Sequence, residues 1–75
     1  MKIALLIGAV GNVEGPIVRI SKGSWRVVKE GVLGSASLFI NGSPRPLDNF
    51  DTVGFVDVCV QAEGARNLSI YLVKD

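Results

Sequence analysis

GSWRVVKEGVLGSASLFIN, residues 23–41, decides the fold. Trp25 and Val27 alternate with Arg26, the pattern of a strand with one wet face. Glu30-Gly31 and Gly34-Ser35 then bracket a reversal. Beyond it Ala36, Leu38 and Ile40 share one face, and Ser35, Ser37 and Asn41 share the other. Alternation at period two marks half-buried strands, and glycine pairs mark the turn between them. The stretch therefore predicts two antiparallel strands, and the rest of the chain repeats the same pattern.

Upstream, Lys2–Val10 is a near-continuous apolar run closed by Gly11-Asn12. Such a run fits a strand covered on both faces, with Ile3, Leu5 and Ile7 on one side and Ala4 and Leu6 on the other. A short signal segment is the alternative reading, but the basic start is one lysine and no small-x-small cleavage pattern follows. Ile17–Ser21 reads as a short strand after Gly15-Pro16, and Lys22-Gly23 turns the chain into Trp25. Residues 41–46, NGSPRP, read as a loop, because Asn-Gly and proline set turn geometry. Asp48–Thr52 is a polar connection. Val53–Ala62 reads as the strongest strand, with Val56, Val58, Val60 and Ala62 on one face. A turn at Gly64 separates it from a last strand carrying Leu68, Ile70 and Leu72. About six short strands predict a single all-β domain over residues 1–75, a small antiparallel β-sandwich or jelly-roll-like barrel.

Seventy-five residues with one cysteine and no histidine exclude an internal disulfide and a zinc site built by this chain alone. Hydrophobic residues are 48%, charged residues 20% and the formal net charge is +1. A domain this small buries only roughly 60% of its unfolded surface. An apolar, weakly charged chain of this size is expected to cover part of its surface with a partner. The near-neutral charge counts against a general nucleic-acid binder, whose affinity rests on phosphate contacts. No apolar stretch reaches the ~20 residues that span a bilayer as a helix, so no membrane partner is expected.

The residues offer little chemistry. Gly8, Gly11 and Gly15 after an apolar strand have the look of a dinucleotide phosphate loop. That loop must open a helix, whereas Ile17-Val18-Arg19-Ile20 is strand-like. Cys59 lies between Val58 and Val60 with no histidine to activate it, so an inert thiol is expected. Asp48, Asp51 and Asp57 admit weak calcium binding, but their spacing is not that of a known calcium loop. Arg19, Lys22, Arg26 and Lys29 surround Trp25, the combination that binds single-stranded nucleic acid. The bland reading is a solvated basic face over a core tryptophan. No catalytic residue, metal or cofactor is expected.

From Trp25 onward the chain runs Trp25-Arg26-Val27, Gly31-Val32-Leu33-Gly34-Ser35-Ala36, Ser37-Leu38-Phe39-Ile40, Asn41-Gly42-Ser43-Pro44, Val56–Ala62 and Ser69–Val73. In this succession it resembles small bacteriophage virion accessory proteins, the β-sandwich decoration (cement) proteins and their relatives. It departs at Val60-Gln61-Ala62, where such proteins are expected to carry an arginine. The resemblance implies a capsid decoration protein, made in the host cytoplasm and seated on the virion against the major capsid protein or another virion protein, commonly as a homotrimer.

Two sets of contacts follow as expectations. Phe55 and Tyr71 on one face, the proline loop with Pro44, Arg45 and Pro46, and the aromatic anchors Phe39 or Phe50 are candidates for partner binding. Ile3, Leu5 and Ile7 are candidates for oligomer contacts, since a strand apolar on both faces needs a second cover. The alternatives to decoration are a small interaction or inhibitor protein acting on a host complex, and a nucleic-acid-binding β-barrel.

Overall fold

The computed structural model describes residues 1–32 and 34–74. Leu33, which falls in the expected turn between Gly31 and Ser35, and Asp75 lie outside the described residues. Among the described residues, seven strands form one curled antiparallel sheet, shaped as a half-barrel. They are β1 (Lys2–Glu14), β2 (Val18–Ile20), β3 (Gly23–Val32), β4 (Ser35–Ile40), β5 (Ser43–Arg45), β6 (Phe50–Thr52) and β7 (Val56–Val73). The all-β expectation holds.

The last strand organises the others. One edge of β7 pairs with β2 at Val56–Val58 and with β1 at residues 61–73. Its other edge pairs with β4 at residues 58–63 and with β3 at residues 66–73. The expected turn at Gly64 is instead a bend within this single strand. Val58, Val60 and Ala62 point inward, then Ala65, then Leu68, Ile70 and Leu72. Two phase changes are needed to keep all seven inside. They fall where the register with β1 shifts, beside Asn67 (φ 53°) and Gly64 (φ 65°). A bulge adds one residue to one strand and resets which way the next side chains point, while pairing continues on either side. The chain reverses its layer here without leaving the ladder.

β1 bends along with β7. A Cβ placed on Gly15 would lie 2.9 Å from the carbonyl oxygen of Leu5, although ten residues separate them. The Gly15 amide donates to the Val60 carbonyl at 2.7 Å and holds this return. Two leaves result. One contains β2, the first half of β7, β4 and β5; the other contains β1, the second half of β7, β3 and β6. Their inner faces enclose Trp25, Leu38, Phe50, Val58, Val60, Leu68, Ile70 and Leu72.

The expected faces of the first strand are corrected by the same device. Ala4 pairs with Tyr71 and Leu6 with Ile70, so Leu5 is an extra residue on β1. Leu5 and Leu6 are therefore both buried, Ile3 is half-buried, and Ile7 turns outward. Of the expected oligomer contacts, Leu5 is thus inside and Ile3 half-buried, while Ile7 stays exposed on the outer side of β1. It also runs past Gly11-Asn12 to Glu14.

The expected loop of residues 41–46 is a hairpin. Ile40 pairs with Ser43 across the two residues Asn41 (φ 50°) and Gly42 (φ 82°), a type I′ turn whose twist matches the flanking strands. Pro44 is accommodated because β5 is an edge strand. Asn41 also joins the hairpin to β7: its Oδ1 accepts from the Asp57 amide at 2.9 Å, and its own amide donates to the Asp57 carbonyl at 2.8 Å. Asn41→Ala removes the side-chain acceptor and places a less tolerant residue at positive φ. It is expected to cost about 1–2 kcal/mol, read as a lower urea midpoint at unchanged slope.

Phe50 is the other correction. It sits opposite Trp25 in the β3–β6 pairing and is only 6% exposed, so it closes the core and is withdrawn from the partner contacts. The chain ends are tied beside this pair. The terminal ammonium donates to the Lys74 carbonyl at 2.7 Å, and the Lys74 amide donates to the Met1 carbonyl at 2.9 Å.

Candidate interaction surfaces

Three regions of the surface hold the residues singled out from the sequence. The first is the outer face of the leaf built from β2, β7, β4 and β5. In β2 the inward residue is Ile20, so Arg19 points out, and Ile17 shares its side by alternation. On β7 the inward residues Val58 and Val60 leave Asp57 and Cys59 outside. Phe39 pairs with Cys59 on one side and with Pro44 on the other. Continuing the β2–β7 register places Ile17 opposite Cys59. An apolar row of Ile17, Cys59, Phe39 and Pro44 thus crosses four strands. Ile17 is 73% exposed, and Phe55, two residues before Asp57, is 74% exposed.

Arg19 and Asp57 interrupt this apolar leaf. They pair across strands, Nε to Oδ1 at 3.1 Å, with both side chains exposed. An exposed pair of this kind contributes only about 0–1 kcal/mol to stability. Its larger consequence is local neutrality, since its two opposite charges stand side by side among apolar groups.

The second region is the bend. Val10 and Val32 flank Arg66 on neighbouring strands, in one cross-strand row. Val10 is 73% exposed, and Ile7, on the same stretch of β1, is 74% exposed. The bend is braced from within: the Gly8 amide donates to Ser69 Oγ at 3.0 Å and the Gly64 amide donates to Asn12 Oδ1 at 3.1 Å. These apolar groups stand on a braced ribbon.

The third region lies where the chain ends meet. Tyr71 is half-buried on the outer face of the second leaf, beneath the Lys2 ammonium at 4.2 Å from the ring centre. The expected face of Phe55 with Tyr71 is therefore divided between two leaves. Arg45 is separated too. It pairs with Leu38 in register and lies with its guanidinium 5.8 Å from the Phe50 ring, on the opposite side of β5 from Pro44. Pro46 is exposed next to buried Leu47.

Of the expected contacts, Phe39, Pro44 and Phe55 thus come together on the first leaf. Ile7 stands at the bend, and Leu5 and Phe50 are inside. Ile17, Val10 and Val32 were not singled out. Ile17 was legible: in Ile17-Val18-Arg19-Ile20 the arginine faces water, so Ile17 must face it too. Val10 was hidden by the bulges, which break the alternation that would have placed it.

The basic cluster around Trp25 does not form a stacking platform. Trp25 is 1% exposed, and its indole Nε1 donates to the Ser21 carbonyl at 3.0 Å. The Lys74 ammonium lies 4.9 Å from the ring centre and donates to Ser21 Oγ and the Lys22 carbonyl. The ring's faces are given to the core and to Lys74, with none left for a base. Among the described residues no three potential metal ligands come together. A shallow groove beside β1, lined by Ala4–Ile7 and Val13–Pro16, has Glu14 as its one ionisable side chain.

Comparison with protein families, with curated proteins and with solved structures finds no match.

Proposed function

We propose that this chain is a structural protein of a bacteriophage virion, a decoration protein that stabilises the head by binding the shell. One observation carries this reading: large apolar side chains stand exposed at two separate places on a braced all-β body, at the bend and on the outer leaf. Scattered exposed hydrophobics are ordinary, but grouped ones mark interaction sites. A protein with two adhesive surfaces and a folded frame between them suits the work of joining parts of an assembly.

The bend is the shell contact in this reading. Ile7, Val10 and Val32 supply an apolar centre around Arg66, with Asn12, Asn67 and Glu30 exposed nearby. An apolar centre with a polar rim is the anatomy of a stable interface, and arginine is among the side chains that carry binding energy there. The partner is the major capsid protein or another virion protein. The protein is made in the host cytoplasm and resides on the particle, acting by contact and not by catalysis.

Mass spectrometry of purified particles is expected to find the chain as a stoichiometric component. Particles assembled without it are expected to lose their genomes sooner on heating or chelation. A Val10→Asp, Ile7→Asp variant is expected to fold as the parent does, because both positions are solvated, and to leave particles unoccupied. Particles that lack the chain, or that are equally stable without it, overturn the reading and favour an inhibitor of a host complex.

A further inference from the structure

We propose that the outer leaf is a self-association surface, on which two copies of this chain pack face to face about a two-fold axis. The axis runs along the strands between β2 and β7. Independent of the shell contact at the bend, the proposal rests on the composition of the leaf.

The first ground is charge. Between Phe55 and Cys59 the outward side chains of β2 and β7 carry two charges, Arg19 and Asp57, opposite in sign and on adjacent strands. Such a surface has no net charge with which to attract an acidic or a basic partner. It is complementary to itself. A two-fold axis between the strands sets Arg19 of each copy over Asp57 of the other, so four charges alternate around a square. Like charges would face one another if the axis followed β7 itself or crossed the strands at Arg19–Asp57.

The second ground is the apolar row. The same axis lays Ile17 of one copy over Cys59 of the other, and brings Phe39 and Phe55 to the margins of the contact. Face-to-face packing of sheets is the ordinary way to cover an apolar leaf, and interfaces between identical copies are the more apolar class. The axis closes the assembly at two copies, because each uses its one leaf.

Size sets the strength. With the axis between β2 and β7, those two strands of each copy overlap, a contact roughly 10 Å across at ~4.8 Å per strand and about 17 Å along Phe55–Cys59. That is well under the ~800 Å² per partner of a standard interface. The dimer therefore belongs to the weak class. It forms where copies are crowded, as on a shell that holds each at fixed spacing to its neighbour.

The test uses two variants of the full chain. Arg19→Glu leaves two negative groups on the leaf, and Asp57→Lys leaves two positive ones. Each alone is expected to sediment as a monomer at about 1 mM, a concentration at which the parent chain is partly dimeric. Mixed in equal amounts, they are expected to form a heterodimer with a dissociation constant about tenfold below that of either alone. Thermal unfolding of each variant checks that it is folded, as an exposed pair of this kind allows. A bismaleimide reagent reaching about 10 Å should link two copies through Cys59, the chain's one cysteine, in the parent and in the mixture and not in either variant alone. A parent chain that stays monomeric at this concentration overturns the proposal. So does a dimer that neither variant weakens. Either result leaves the shell contact standing, since that is read on particles from the Ile7 and Val10 variant.

Discussion

Trp25→Ala is expected to unfold this domain at 37 °C. The indole is 1% exposed, stands across from Phe50, and ties Ser21 through Nε1. Removing a buried tryptophan typically costs ~3–5 kcal/mol, part for lost burial and part for the cavity left behind. A 75-residue domain at 0.05–0.15 kcal/mol per residue has roughly 4–11 kcal/mol in all. The loss is thus of the order of the whole. Lys74 is stranded as well, since its ammonium lies against the ring. Trp25→Phe keeps most of the volume and loses the indole hydrogen bond, so about 1–2 kcal/mol is expected. Circular dichroism through a urea titration separates the two: the alanine variant should show no cooperative transition, and the phenylalanine variant a lowered midpoint. A folded alanine variant would mean that the core closes without this anchor.

Gly31→Ala is expected to have the next largest effect. Gly31 has φ 99°, a region that only glycine enters freely, and it lies where β3 leaves its register with β7. A Cβ there would come within 2.2 Å of the Asn67 carbonyl oxygen and 3.1 Å of the Leu68 Cα. Both are backbone atoms of the central strand, at the bulge that turns its layer. The backbone of β3 or β7 must move, which breaks ladder bonds as well as straining φ. A loss above about 3 kcal/mol is expected, more than the 1–3 kcal/mol of backbone strain alone. Gly42→Ala is the control. Its φ is 82°, yet nothing lies within 4 Å of the added carbon. It should therefore show the conformational penalty without the collision. Equal losses at the two positions would remove the close approach of β3 to β7 as a cause.

The strands were legible where each side chain obeyed one period. Trp25 and Val27 against Arg26, and Ala36, Leu38 and Ile40 against Ser35 and Ser37, placed β3 and β4 and their inward faces correctly. The Asn41-Gly42 hairpin carried its own chemistry, but the reversal expected at Gly31–Gly34 is not there: β3 lies against residues 66–73 and β4 against residues 58–63 of the same edge of β7, so the two strands run in one direction and do not pair with each other. Illegible were the positions where an extra residue enters a strand. At Gly64 and Asn67 the inward residues change phase, and the sequence reads as a turn because a turn and a bulge use the same residues. The same ambiguity hid the pairing of Leu5 with Leu6 inside and of Ile7 with Val10 outside. Partner contacts were legible in kind but not in grouping. Phe39, Pro44 and Phe55 share a leaf because β4, β5 and β7 pair in register, and no local pattern states which strands will be neighbours.

The strand that pairs with β1, β2, β3 and β4 is made after all of them. Until Val56–Val73 has been synthesised, none of those four strands has its main partner, and the apolar residues of β1 have no ladder to join. The chain cannot fold segment by segment as it is translated. It must collect itself in one late step, through contacts between residues far apart in sequence, the kind of topology that folds in milliseconds to seconds. During that wait Ile3–Val10 is an exposed apolar stretch with open backbone, the form most prone to pair with another chain. A cell that makes many copies at once must therefore deliver β7 quickly, or lose product to aggregates before the fold is reached.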